Sequence, residues 1–272
     1  MASSLTPTGI AFDRGGPPGG TAVVLIHAGV ADRRMWNPQW TGLTAIRDAV
    51  RLDLHGFGES DVAPVGALDP VVDVLDTLDH LGVTSCHLVG SSLGAGVALE
   101  VALARPGLVR SLLLAPPGGS LLSERTPALA TFAAAENAAL ARGDLDAAVE
   151  ANVEAWVVGS GRTLDDVDPG VAASVRVMQR RAFEIDANWA DPELEWVEPD
   201  PPAVARFAEV AVPVLLVVGN HDLDTVHRAA DLLEAKVALV RRVDRARTAH
   251  LPSMEEPEDF LRLLLDWAAA QD

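Results

Sequence analysis

Six short runs of apolar, largely β-branched residues recur along the chain, and most are separated by segments of helical periodicity. The runs are residues 21–27, 49–55, 85–90, 109–115, 212–219 and 236–243. Runs of this length and composition are typical of strands buried on both faces. Helices are predicted over 68–82, over 92–105 and from Pro257 to the C-terminal end. Strands that alternate with helices predict an α/β fold with a mostly parallel sheet covered by helices on both faces.

The alternation stops between residues 119 and 208. This segment is rich in alanine and helical by period, no strand-like run interrupts it, and it ends in the acidic, proline-rich stretch 190–202. We therefore expect a core domain formed by residues 1–118 and 209–272. Residues 119–208 are expected to form a helical cap inserted between two core strands.

The stretch "VGSSLGAG" lies between a predicted strand and a predicted helix and has two interpretations. The glycines could form a dinucleotide-binding turn, but such turns follow the first strand of their fold, whereas this one follows a later strand. The dehydrogenases known for this glycine spacing use a tyrosine, and the chain has none. The alternative is a nucleophile elbow with Ser92 as the exposed serine, Gly90 and Gly94 relieving crowding, and Gly96 letting the helix pack close to the sheet.

A serine nucleophile needs a base to take its proton and an acid to orient that base. Asp222 follows the predicted strand 212–219, and His250 lies in the loop before the last helix, so the order serine, acid, histidine is the one known for this type of sheet. Asp224 is an alternative acid. The expected catalytic residues are Ser92, Asp222 and His250.

Five blocks of the chain, taken in order, resemble the α/β-hydrolase superfamily, in particular its serine esterases and lactonases with a helical cap. They are "LIHAGVADRRMW", "RLDLHGFGESD", "LVGSSLGAGVAL", "VPVLLVVGNHD" and "AHLPSMEEPEDF". An oxyanion hole needs two backbone N–H donors, one of which is expected from Leu93, directly after the serine. The resemblance implies that Val30 or Gly29 supplies the second. Ala28 departs from the usual His-Gly pair of this block, which leaves both open.

Composition narrows the classes of partner. The net charge of −18 disfavours nucleic acid and anionic membranes, and no apolar run approaches the ~20 residues of a membrane span. The single cysteine excludes an internal disulfide, and "MASSLTPTGI" does not resemble a signal peptide, so we expect a soluble cytoplasmic protein. No cluster of residues has metal-ligand spacing, and neither a metal nor a cofactor is expected. The oligomeric state is left open.

The sequence thus predicts a hydrolase that cleaves an ester or lactone of a small, largely apolar substrate through an acyl-enzyme. Hydrolysis of C–C bonds, amidase or aminopeptidase activity, and cofactor-free perhydrolysis could use the same three residues. A non-catalytic ligand-binding receptor on this fold is an alternative from another class. Four residues are candidates for the substrate pocket: Trp36, Trp156, Met178 and His221. For the two tryptophans and Met178, a place in the apolar core is the competing interpretation.

Overall fold

The computed structural model describes residues 4–189 and 194–272, and its centre is an eight-stranded sheet. The strand order is β1-β2-β4-β3-β5-β6-β7-β8. From β4 to β8 all neighbours are parallel, whereas β1 and β2 form an antiparallel edge beside β4. The strands are β1 Ser4–Leu5, β2 Ala11–Gly15, β3 Ala22–Ile26, β4 Ala49–Leu52, β5 Cys86–Ser92, β6 Val109–Pro117, β7 Val214–Gly219 and β8 Val240–Arg245.

Ten α-helices belong to the described part of the chain. They are α1 Asn37–Thr44, α2 Pro70–His80, α3 Leu93–Ala104, α4 Pro127–Leu140, α5 Leu145–Asn152, α6 Pro169–Asn188, α7 Ala203–Arg206, α8 Asp224–Lys236, α9 Pro252–Glu255 and α10 Pro257–Ala270. A π-helical turn, Val153–Val158, continues α5. None of the described helices is both long enough and apolar enough to cross a membrane.

The predicted fold class is confirmed, because all six predicted strands are present and form the parallel part of the sheet, with β8 at its edge. The central strands β3 and β7 are buried at every position, as strands covered on both faces should be. The sequence did not reveal β1 and β2. β2 reads "AFDRG", and its polar residues are tolerated because β2 lies near the edge of the sheet and pairs with β4 through only four residue pairs.

Between β6 and β7 the chain leaves the sheet and forms α4 to α7. Within the described part of residues 119–208, only Trp196 makes a β-bridge, to Leu68. Part of the proline-rich stretch 190–202 lies outside the described residues. Two contacts join α6 and its C-cap to the loop after β4: Trp189 Nε1 donates to the Asp61 carbonyl at 2.7 Å, and Arg181 pairs with the Asp61 carboxylate at 2.5 Å. The C-terminal part of α6 therefore packs against the loop that follows the carboxyl end of β4.

His55, in the loop after β4, also anchors this loop to α2 and to the segment before β2. Its Nδ1 lies 2.6 Å from Asp73 Oδ1 on α2, and its Nε2 lies 3.1 Å from the Thr8 carbonyl. Both partners are acceptors, so both ring nitrogens can donate only when the ring is protonated. Burial opposes the charged ring, but the hydrogen bond and charge of Asp73 outweigh it, and the pKa of His55 is raised.

Candidate active site

Ser92 occupies a strained turn that joins β5 directly to α3. Its backbone angles are φ 52° and ψ −111°, and it is the only non-glycine residue with a positive φ among residues 4–189 and 194–272. Such a conformation is costly for a residue with a Cβ and is found where function requires it. A Cβ on Gly90 would collide with the Gly94 carbonyl, and one on Gly94 would lie 2.5 Å from the Ile26 carbonyl. Larger residues at these positions would not fit the turn.

Gly96 has a different role from the expected one. A Cβ on Gly96 would meet Ser120 Oγ at 2.8 Å, so its missing side chain lets α3 approach the segment after β6 rather than the sheet. The same segment closes on the serine, since a Cβ on Gly118 would lie 2.7 Å from Ser92 Oγ. Close packing against the sheet falls instead to Gly94, which faces the carbonyls at the end of β3.

The structure brings Asp222 and His250 together. His250 Nδ1 lies 2.8 Å from Asp222 Oδ2 and 2.9 Å from Oδ1, and the side chains are 2% and 0% exposed. A carboxylate only accepts hydrogen bonds, so Nδ1 carries the hydrogen and the neutral ring keeps a lone pair on Nε2. Asp222 Oδ1 also accepts the Leu223 N–H at 2.8 Å. Asp224, the alternative acid, is 47% exposed at the start of α8 and lies 4.0 Å from Arg228.

The described residues contain no hydrogen-bond partner for Ser92 Oγ, and none is formed with His250. Ser92, Asp222 and His250 all follow parallel strands at the carboxyl edge of the sheet, where the sites of α/β proteins gather. Hydrogen bonds between catalytic groups are often longer before substrate binds. Ser91, the neighbouring serine, is fully buried, so only Ser92 of the two has a partly accessible side chain.

The candidate oxyanion donors lie beside one another. Leu93 is the first residue of α3, where a backbone N–H has no partner within the helix. A Cβ on Gly29 would lie 3.7 Å from Leu93 Cβ, so the loop after β3 packs against the start of α3. His27 holds this loop, because the Leu54 N–H donates to Nε2 at 3.1 Å and Nδ1 lies 2.8 Å from the Ala28 carbonyl. Val30, the other candidate, follows Gly29 and is buried.

Trp156 packs directly on the histidine. The two ring centroids are 4.4 Å apart, and the backbone N–H of His250 donates to the backbone carbonyl of Trp156 at 3.3 Å. Phe132 of α4 contacts the other side of Trp156, with ring centroids 5.2 Å apart. Trp156 belongs to the π-helical turn, and turns of this kind often occur at functional sites. Of the four predicted pocket residues, Trp156 is the one in contact with His250.

A buried ion pair joins this helical segment to the histidine loop. Glu255 Oε1 accepts the N–H groups on either side of His250, from Ala249 at 2.9 Å and Leu251 at 3.3 Å. Glu255 Oε2 accepts from Arg162 at 2.9 Å, and both side chains are 8% exposed. Burial raises the pKa of Glu255, while Arg162 and the two amides counteract this. Neither residue was identified from the sequence.

Arg162 also fixes the end of the π-helical turn. It donates to the carbonyls of Val157 and Val158 at 2.6 and 2.8 Å, and to the Arg247 carbonyl at 2.8 Å. The following Gly159 has a φ of 72°, and a Cβ there would collide with the His221 carbonyl. The C-terminal end of the turn that carries Trp156 is thus held against the loops that carry Asp222 and His250.

The other three pocket candidates make different contacts. Trp36 is fully buried in the core and packs on Phe260 of α10, with ring centroids 6.0 Å apart, so it contributes no accessible surface to a pocket. Met178 is buried in α6 within the apolar core. His221 binds the segment after the π-helical turn, since its Nδ1 lies 2.9 Å from the Ser160 carbonyl and its own carbonyl accepts the Ser160 N–H at 2.6 Å.

Comparisons with known proteins agree with this architecture. A sequence profile of the alpha/beta hydrolase family matches residues 23–263. The chain is 25% identical over 255 residues to 3-oxoadipate enol-lactonase 1 of Acinetobacter baylyi. This alignment covers 91% of this chain and 88% of that protein. It is 42% identical over 110 residues, 40% of this chain, to the dihydrolipoyllysine-residue acetyltransferase component of the acetoin cleaving system of Pseudomonas putida, and spans only 30% of that relative's length.

Among solved structures, the enol-lactonase from Burkholderia xenovorans LB400 superposes with a TM-score of 0.76 at 19% identity, covering 98% of this chain and 100% of that chain. At this identity the likeness concerns the fold. The sheet, the strained serine turn and the profile match together define an enzyme of the hydrolase class. The chain belongs to the alpha/beta hydrolase family.

Proposed function

We propose that this protein hydrolyses a carboxylic ester or lactone of a small, largely apolar molecule through an acyl-enzyme formed on Ser92. The observation that carries the proposal is the strained backbone of Ser92 at the junction of β5 and α3. This turn holds a partly accessible hydroxyl at the carboxyl edge of the sheet, as a nucleophile requires. Similarity to an enol-lactonase over most of the chain favours ester and lactone substrates.

In the proposed reaction, Ser92 Oγ attacks the substrate carbonyl carbon while His250 Nε2 takes the hydroxyl proton. The negative charge on the carbonyl oxygen is stabilised by the Leu93 N–H and by an amide of Gly29 or Val30. The intermediate then collapses, and the His250 proton passes to the leaving alkoxide. Water attacks the acyl-enzyme by the same route and releases the acid. Asp222 holds the imidazole and stabilises its charged form.

We further propose that residues 119–208 act as a cap over this site and that residues 1–118 and 209–272 form the core. The contact of Trp156 with His250 supports this division, because it brings an apolar ring from the helical segment to the proposed base. Phe132 behind Trp156 extends the apolar surface. A cap built in this way favours apolar groups near the reacting carbonyl.

The buried Cys86 is consistent with the reducing cytoplasm, where we propose that the enzyme acts.

Labelling with a fluorophosphonate probe tests the nucleophile. The Ser92→Ala variant should lose all labelling, because it lacks the attacking hydroxyl. Ser91→Ala is the matched control, since Ser91 is buried in β5, and it should be labelled like the wild type. Equal labelling of both variants would refute the assignment of Ser92.

A hydrolysis screen tests the reaction itself. It should include p-nitrophenyl esters of varied chain length, lactones, amides and a C–C substrate such as a vinylogous diketone, each against the wild type and Ser92→Ala. Turnover of esters or lactones that disappears in Ser92→Ala is the expected result. Turnover confined to amides or to the diketone would replace the proposed reaction with another one on the same three residues. Binding without turnover of any compound would favour a receptor.

A further inference from the structure

A cavity of about 570 Å³ lies beside the serine turn, bordered by α3, the turn Gly119–Leu121 and residues of the segment 196–204. It begins at Leu93 and extends along α3 past Val97 to Glu100. These three residues are spaced i, i+4 and i+7 and so share one helix face. Seven residues of α-helix rise by roughly 10 Å. The cavity is therefore long enough to receive the part of a substrate that extends away from its reacting carbonyl.

Glu100 supplies a buried carboxylate at the far end of this cavity. The residue is 4% exposed, and its Oε1 accepts the Ala203 N–H at 2.7 Å. No described residue forms a hydrogen bond with Oε2. The nearby Arg206 instead binds Glu209 at 2.9 Å. Burial raises the pKa of Glu100, although the Ala203 amide and the charge of Arg206 counteract it. A cation in the cavity would remove this penalty on the charged form.

The remaining walls also suit a positive charge. Glu198 and Trp196 line the cavity, and Trp196 is 43% exposed. None of the described residues that line it is a lysine, arginine or histidine. Carboxylates and aromatic faces both stabilise ammonium groups. The net charge of −18 attracts cations at longer range.

We propose that this cavity binds a cationic group of the substrate, in the simplest case a primary ammonium that donates to Glu100 Oε2. This inference rests on the proposed function, because it places the ammonium and the reacting carbonyl at two ends of one molecule. Leu93 joins the two parts, since its amide is a proposed oxyanion donor and the residue also lines the cavity. Glu100 is then the residue that determines specificity at a distance from the chemistry.

A pair of isosteric esters tests the proposal. The p-nitrophenyl ester of ε-aminocaproic acid carries a terminal ammonium, and the heptanoate ester has a methyl group in its place. We expect kcat/KM of the wild type to be higher for the aminocaproate by about tenfold or more, as for a hydrogen bond to a charged group. In Glu100→Gln this ratio should fall towards one. The glutamine keeps an oxygen that can accept the Ala203 N–H, but it loses the charge, and an NH2 donor replaces the second carboxylate oxygen.

Glu258→Gln is the matched control, because it removes the same charge from the exposed first turn of α10. Its ratio should equal that of the wild type. A wild-type ratio near one, or an unchanged ratio in Glu100→Gln, would overturn the cation site while leaving ester hydrolysis intact. If Glu100→Gln does not fold, inhibition of the wild type by hexylammonium and by hexanol gives the same comparison, and equal inhibition overturns the site.

The proposed function can fail separately. If the wild type hydrolyses neither ester, thermal unfolding with hexylammonium still measures binding, because a ligand of the folded state raises the melting temperature. A rise for the wild type and Glu258→Gln that is lost in Glu100→Gln supports the cation site alone. No rise for the wild type overturns it.

Discussion

The buried pair of Arg162 and Glu255 gives a quantitative test of how the helical segment is joined to the histidine loop. Replacement of Arg162 by methionine keeps an unbranched side chain but removes the charge and the hydrogen bonds to the carbonyls of Val157, Val158 and Arg247. Glu255 then remains as a buried carboxylate with only two N–H donors, from Ala249 and Leu251. Breaking a buried pair by removing one partner typically costs about 3–5 kcal/mol. Because the two amides remain, we expect about 3 kcal/mol of unfolding free energy to be lost near neutral pH.

The loss should depend on pH. In the wild type, burial already raises the pKa of Glu255 above its ordinary value of 4.5. Without Arg162 this pKa rises further, so above pH 4.5 the folded variant binds more protons than the unfolded chain. Stability then falls as pH rises through the folded pKa. Arg162→Met should therefore be less destabilised at about pH 5 than at about pH 8.

Urea unfolding followed by tryptophan fluorescence and circular dichroism measures both effects. Arg176→Met is the matched control, since Arg176 also pairs with a glutamate, Glu150, but at the surface, where the side chains are 33% and 55% exposed. Exposed pairs contribute about 1 kcal/mol or less. A loss in Arg162→Met no larger than in Arg176→Met, or one that is equal at both pH values, would refute the reasoning.

Three further predictions concern the site and its support. Asp222→Asn should lower kcat by about 10³–10⁴, because an amide cannot hold the histidine as the carboxylate does, whereas Asp224→Asn should keep most of the activity in the same ester assay. Gly118→Ala should reduce fluorophosphonate labelling of the folded protein, because its Cβ would lie 2.7 Å from Ser92 Oγ. Labelling at the wild-type rate would contradict this packing. The raised pKa of His55 means that its contribution to stability is complete below about pH 6.5 and is lost as pH rises through the folded value, so the difference in urea stability between the wild type and His55→Gln should shrink at alkaline pH.

Local sequence patterns were sufficient for the six parallel strands β3 to β8 and for the serine turn. Strands such as β3 and β7 are continuous apolar runs, and the glycines at positions 90 and 94 are needed by the turn around Ser92 itself. The role of Gly96 was predicted wrongly, because its neighbour Ser120 belongs to a segment that only the fold brings close. The chemical roles of Ser92, Asp222 and His250 remain predictions, although the pairing of the last two is seen in the structure.

The contacts made by the helical segment could not be predicted from the sequence. Arg162 and Glu255 are 93 residues apart, and each lies in a stretch rich in charged residues that gives no indication of a buried pair. Trp36 and Trp156 were both plausible pocket residues by composition. Only their packing distinguishes them, since Trp36 packs on Phe260 and Trp156 packs on His250.

The π-helical turn at Val153–Val158 makes the aromatic contact with His250 sensitive to chain length. A π-turn contains one residue more than the α-helical turn it replaces. Deletion of Ala155 would let the turn relax to an α-helix, and the segments on either side would keep their relative orientation, because the wider turn absorbs the extra residue. Trp156 lies within the turn itself, so its own position around the helix axis would change while α5 kept its register. A one-residue length change at this point would therefore move the aromatic neighbour of the histidine without altering any of the residues that are proposed to carry out the chemistry.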